Sequence, residues 1–423
     1  MSICSIGICY KWYLFIFGTV FFKLLKFFFF SINPYNIKLF GFSSILSKHI
    51  FIQSFYKYIS FMIGSLLFIY IIKKTTKSNN KNINFLIYSA KYSKEKLNIQ
   101  TFLVCFIFFI HRESNQILYS FFFHFLDFWF FDFIFINLFM KPIFLIKNYK
   151  HQTCSMIFTI ITNFTLLFIS TFLPMYNNYG EKSFENQNSY EIIKIITNNK
   201  YSSIPILFGF LFLSFIISYA RVKSKNIMYN DYTSLYKLIF QIGLVGSFFT
   251  MIGLMISSFF NCQATDIINK SICIYEENEN NYYFDSIFIY FNDLKNNQNY
   301  LFEILLVTPI YLIICFLEFA CEMNIIKYFN PFFVLLKDKL YFFFLRIILY
   351  FSLFYITLLQ FIILETAEVF ALLGLSIYLE IIELNCFGLD YNIKKNIIKR
   401  AELKIEDLDG PEDEDLDENI YYM

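Results

Sequence analysis

Between residues 346 and 383 one arginine and a row of polar groups stand in otherwise apolar sequence: Arg346, Gln360, Glu365, Glu368, Glu380 and Glu383. A carboxylate in hydrocarbon is costly even on lenient scales, so such groups are retained for use. The chemistry open to them is proton exchange. A guanidinium stays charged at any accessible pH, whereas a carboxyl in low dielectric can take up a proton near neutrality. At about 100° per residue, Gln360 and Glu368 fall about 40° from Arg346 on an ideal helix, with Glu365 and Glu383 about 60° further round. A second acidic pair, Glu318 and Glu322 in FLEFACEMN, sits at i,i+4 on the preceding apolar segment, with Glu303 near its start. Acids on two successive segments read as a polar path through a membrane. The competing reading is inter-helix hydrogen bonding or snorkelling to the interface.

The elements that must position these groups are membrane helices. Hydrophobic residues make up 57% of the 423 residues, and the mean hydropathy is +0.52. Runs long enough to cross a hydrocarbon core of about 30 Å recur along the chain. The alternating segments of a membrane β-barrel do not. The fold class expected is all-α: a polytopic integral membrane protein of about 8–10 membrane helices, with polar loops and an acidic tail. The 61 Phe and 32 Tyr, the abundant Asn, Ile and Lys, and the 12 Gly and 7 Pro are the usage of an A/T-rich genome. For so hydrophobic a protein that points to organellar coding and the mitochondrial inner membrane, with an A/T-rich parasite or endosymbiont as the alternative. The first residues lack the pattern of a transit peptide.

Spans fall near 10–31, 55–72, 98–111, 117–140, 155–175, 204–220, 236–260 and 301–322, followed by apolar sequence from 341 to 384. Lysine-bearing loops (KKTTKSNNKN, MKPIFLIKNYK, RVKSKN and the Lys327–Lys339 stretch) alternate with long polar loops at 176–203 and 261–300, which by the positive-inside rule face the opposite side. The chain then divides into N-terminal helices (1–150), helices with the two long loops (151–300), proton-path helices (301–384) and an acidic tail (385–423). Between Tyr341 and Tyr378 there is no Pro, and Gly374 is the only Gly. One continuous helix there would measure about 57 Å and would have to tilt steeply; the alternative is a tight hairpin without turn residues. The missing turn chemistry favours the tilted helix.

No CxxC, HxxxH, Gly-rich phosphate loop or nucleophile triad occurs, so no cofactor, metal or bond-breaking chemistry is expected. Cys262 and Cys273 flank one polar loop and could pair in an oxidising compartment, though two free thiols is the simpler reading. His124, Asp127 and Asp132, among phenylalanines, read as hydrogen-bonded packing rather than a ligand set.

The stretch TAEVFALLGLSIYLEII resembles the last helix of subunit a of the F-type ATP synthase. The shared letters are Ala367, Val369, Phe370, Leu372, Leu373, Tyr378 and Leu379; Thr366 and Glu368 stand where that family has glutamine and tyrosine. In the family an arginine, usually on the helix before this motif, separates two proton half-channels beside a rotor ring. The resemblance implies Arg346 for that arginine and Glu365, Glu368, Glu380 or Glu383 for half-channel carboxyls. It also implies a non-catalytic stator subunit whose partners are the rotor ring, other membrane subunits and lipids such as cardiolipin. Fragments such as FINLFMKP and FACEMN also resemble, in order, the quinone-site membrane subunit of respiratory complex I. A third reading is a structural subunit packed at the edge of a respiratory complex.

Overall fold

The computed structural model describes residues 6–30, 49–78, 99–122, 129–144, 148–172, 200–230, 233–257, 261–262, 273–276, 281–284, 287–296, 302–353, 358–382 and 396–397. The helices are α1 (Ile6–Phe30), α2 (Ile50–Ser78), α3 (Ile99–Phe122), α4 (Trp129–Phe144), α5 (Lys150–Phe172), α6 (Lys200–Asn230) and α7 (Leu235–Ser257), then α8 (Ile287–Asn296), α9 (Thr308–Tyr328), α10 (Phe332–Leu353) and α11 (Leu358–Tyr378). A π-helical turn, Glu303–Val307, leads into α9. Among the described residues four stretches are long and apolar enough to cross a membrane: Phe51–Ile72, Leu235–Ser257, Ile304–Tyr328 and Phe361–Tyr378. The protein is a helical, polytopic membrane protein.

The helical architecture carries one exception. Within the loop expected at 261–300, strands β1 (Asn261–Cys262), β2 (Cys273–Glu276) and β3 (Asn281–Phe284) form an antiparallel sheet in the order β1-β3-β2. β1 and β2 flank β3 on opposite sides and are therefore about 10 Å apart. That separation exceeds the Cα distance of about 7 Å that a disulfide can bridge, so the strand positions of Cys262 and Cys273 oppose a pairing.

The chain forms two compact units. The first comprises Met1–Phe128 and Glu181–Phe329, the second Trp129–Gly180 and Asn330–Met423. In the first unit, α2 lies antiparallel to α7 with Gly246 against Tyr58; a Cβ at Gly246 would sit 2.2 Å from the tyrosine ring. Lipid tails are as apolar as the helices, so association in a membrane depends on such close van der Waals fit. α9 runs parallel to α2. Phe319 stacks on Phe61 with centroids 4.4 Å apart, and the Tyr311 hydroxyl donates to the carbonyl of Gln53 at 3.1 Å.

In the second unit, α11 packs along α5 and α10. Gly374 makes the α5 contact possible, because a Cβ there would lie 1.7 Å from Thr159 Oγ1. Ser155 Oγ donates to the Gly374 carbonyl at 2.5 Å. The helix ends with Glu380 left-handed at φ 57°, its N–H bonded to the carbonyl of Ile377 and the next N–H, of Ile381, to that of Ser376. This is a Schellman cap with glutamate in the position glycine usually takes.

Two expectations are corrected. The apolar region from 341 onward is not one tilted helix. It is a hairpin, in which Tyr350 of α10 stacks on Phe361 of α11 with centroids 4.1 Å apart. Contacts between the two helices hold them side by side, and the sequence joining them has no glycine or proline, which is why turn chemistry did not reveal the break. Nor is the stretch from Lys327 to Lys339 a solvated loop. Asn330 caps α10, accepting the Phe332 N–H on Oδ1 at 3.3 Å, with Pro331 opening the helix. Lys337 and Lys339 are thereby helical, each 1% exposed. The RVKSKN segment is likewise inside α6, with Arg221 and Ser224 buried. His124, Asp127, the 176–199 part of the polar loop, Glu383 and the acidic tail from 398 lie outside the described residues.

Candidate functional site

Arg346 lies on α10, and Glu365 and Glu368 lie one turn apart on α11. The hairpin brings the three together: Nη1 is 3.4 Å from Glu365 Oε1, and Nη2 is 3.1 Å from Glu368 Oε1. A fourth member, Lys339, sits two turns before Arg346 on the same face of α10. Its Nζ is 3.1 Å from Glu368 Oε2 and 3.3 Å from Oε1, with hydrogen-bond alignment toward Oε1. Two cations thus face two carboxylates in a site from which water is largely excluded: Lys339 and Glu368 side chains are 1% and 5% exposed.

The two glutamates are not equivalent. Glu368 is bracketed by both cations. Glu365 touches Arg346 through one oxygen; the buried Oε2 of each glutamate has no hydrogen-bond partner among the described residues, but that of Glu368 lies 3.1 Å from Lys339 Nζ. The cluster is neutral with both acids ionised and carries one positive charge when Glu365 takes a proton. Of the two carboxyls, Glu365 meets one cation and Glu368 two.

Just past the end of α11, Glu380 Oε1 lies 3.1 Å from Nε2 of His151, a histidine 2% exposed at the start of α5. Gln152 donates to the Tyr378 carbonyl at 3.4 Å, and the Tyr378 hydroxyl donates to Asn148 Oδ1 at 3.4 Å. Gln360 belongs to α11, but its side chain is outside the described residues.

Glu318 and Glu322 do not join this cluster. They lie in the first unit and have their own cations. Glu318 pairs with Lys26 of α1, and Glu322 Oε2 lies 3.6 Å from Nη2 of Arg112 on α3. Arg112 also covers the Phe319 ring, 4.2 Å from its centroid. Beside them Glu113 accepts from Lys57 Nζ at 3.3 Å and from the Tyr58 hydroxyl at 3.0 Å. Charges buried in such pairs are matched rather than isolated, as the low dielectric requires.

Sequence reading missed Lys339 and His151. The seven-residue step from Lys339 to Arg346 was a legible signal, since it puts both on one helix face. His151 had none: 229 residues separate it from Glu380.

Fold and site together define a helical membrane protein with a buried, charge-balanced cluster on a helical hairpin. No protein-family model matches the chain, and no curated protein matches it either.

Proposed function

We propose that this chain is a proton-translocating stator subunit, the subunit a of a mitochondrial F-type ATP synthase, and that the α10–α11 hairpin is its proton-exchange element. The single observation that carries the reading is Arg346 bridging Glu365 and Glu368 across two consecutive helices. An arginine on the helix before the VFALL segment is also the arrangement usual in the family that segment resembles, which supports the reading further. In this mechanism Arg346 is a fixed cation that blocks direct leakage between two half-channels. Lys339 pairs with Glu368, and Glu365 accepts and releases the proton that passes to or from a rotor carboxyl. The chemistry of ATP belongs to partner subunits.

The test is replacement of Arg346 by Gln in the native complex, with proton-driven ATP synthesis measured in inverted membrane vesicles. Loss of synthesis with normal assembly is the expected result. Synthesis at the unaltered rate, or recovery of the chain with a quinone-reducing complex instead, would overturn the proposal. Arg346→Lys should also fail, because a desolvated lysine can release its proton whereas arginine does not.

A further inference from the structure

The short helix α8 follows the three-stranded sheet and takes no part in the ionic clusters. One of its sides is bound to the first unit. Tyr290 and Leu294 are buried, and Tyr290 meets His49 edge-on with centroids 5.2 Å apart and Tyr56 at 6.1 Å. Asp293 Oδ2 lies 3.3 Å from Nε2 of the fully buried His49. The other side is unusual for a polar loop: Phe288 is 79% exposed and Phe291 58%. On a helix these two lie about 60° apart, with the exposed Lys295 between them.

The place where α8 is held identifies what those rings meet. His49 immediately precedes α2, whose membrane-crossing stretch begins at Phe51, and α8 leads through the π turn into the stretch that begins at Ile304. α2 and α9 run parallel, so both enter the membrane at the end where α8 is clamped. The first residues of that second span are themselves exposed and apolar: Ile304, Leu305 and Leu306 are 44%, 71% and 46% exposed. Large apolar side chains with a lysine among them, set at a membrane entry, are the composition of a helix lying in the headgroup layer.

We propose that α8 is an interfacial anchor whose Phe288 and Phe291 side chains insert into the lipid below the headgroups, fixing the depth at which α2 and α9 cross the bilayer. The occupant of this face is lipid, not a second protein, because α8 is held at the end where α2 and α9 both enter the membrane. The lysine within it suits anionic headgroups.

The test uses the full chain with Trp12 and Trp129 replaced by Phe and either Phe288→Trp or Phe291→Trp introduced. It is reconstituted in vesicles of phosphatidylcholine and phosphatidylglycerol, with lipids brominated near the glycerol or near the terminal methyl. Shallow bromines should quench each tryptophan about twofold more than deep ones. Absence of quenching by either lipid would mean water or protein covers the face, and stronger quenching by deep bromines would put α8 in the bilayer centre. Either result overturns the proposal. A second measurement needs no substitution: a lipid with a photoactivatable group near its glycerol should label the 287–296 segment of the unaltered chain, and failure to label it while labelling the spans rejects the anchor.

Discussion

Arg346 and Glu368 stand 22 residues apart in the chain, yet their side chains meet at 3.1 Å. On one continuous helix the pair would be separated by about 33 Å. The contact exists because α10 and α11 fold back on one another, and the hairpin in turn is held partly by the charges it brings together. Removing one member of a buried pair leaves its partner uncompensated, at a cost of about 3–5 kcal/mol. The inequality between the two glutamates makes that cost specific to one of them.

We therefore predict that Glu365→Gln and Glu368→Gln fail in different ways. Glu365→Gln keeps the shape of a side chain with one charged contact, so the chain should accumulate normally while proton flux through the complex is lost. Glu368→Gln leaves Lys339 buried without its carboxylate, so the chain should be degraded or unfold at lower temperature. Immunoblotting for the chain and vesicle acidification separate the two. Normal flux in the Glu365 variant would refute the exchange role.

The crossing of α11 on α5 predicts a steric sensitivity at Gly374. Gly374→Ala places a methyl 1.7 Å from Thr159 Oγ1 and 2.9 Å from its Cβ. Overpacking of this kind costs about 1–3 kcal/mol. Thr159→Ala in the same chain removes the closer clash and keeps the further one, so thermal unfolding in detergent should show partial recovery. Full stability of the single Ala variant would mean that the helices do not cross there.

The cap of α11 sets strain against a contact. Glu380 is left-handed at φ 57° and lies 3.1 Å from His151. A side chain in that conformation costs about 1–2 kcal/mol, which glycine avoids. Glu380→Ala loses the His151 contact and keeps the strain, whereas Glu380→Gly loses the contact and relieves it. The Gly variant should unfold at the higher temperature of the two. The reverse order would count against the Schellman cap.

A pH dependence follows from Lys225 on α6, whose Nζ donates to the Phe329 carbonyl at 2.8 Å. Burial pushes this lysine down from 10.5 to about 8. Between those values the unfolded chain binds the proton that the folded chain has released, so the group's contribution to stability rises with pH. Its penalty is fully present below pH 8 and relieved as pH approaches 10.5. The stability difference between Lys225→Met and the unaltered chain should therefore shift in favour of the unaltered chain across that window. A difference that stays constant with pH would show that Lys225 titrates normally.

Much of this protein was legible in its sequence. Long apolar runs demand helices in lipid, since no other open structure satisfies the backbone there, and charged residues inside such runs stand out as candidates. On those grounds Arg346, Glu365 and Glu368 could be singled out, and the structure brings these three together. What sequence could not decide was how the last apolar region bends. Absence of glycine and proline argues for continuity only when local propensity governs, and here packing between α10 and α11 overrides it. The same limit applied to Lys337 and Lys339, whose charge suggested a loop until the Asn330-Pro331 start of α10 made them helical and buried.

Local periodicity, length and polarity thus determined that the chain is a helical membrane protein and which side chains are out of place in lipid. The tertiary structure alone decided which of them meet. It placed Arg346 with Glu365 and Glu368, gave Glu318 and Glu322 to cations of the other unit, and joined His151 to Glu380. The physical reason is that a residue's type and its neighbours along the chain fix the cost of burying its charge. The partner that offsets that cost comes from a helix tens or hundreds of residues away, and only packing selects it.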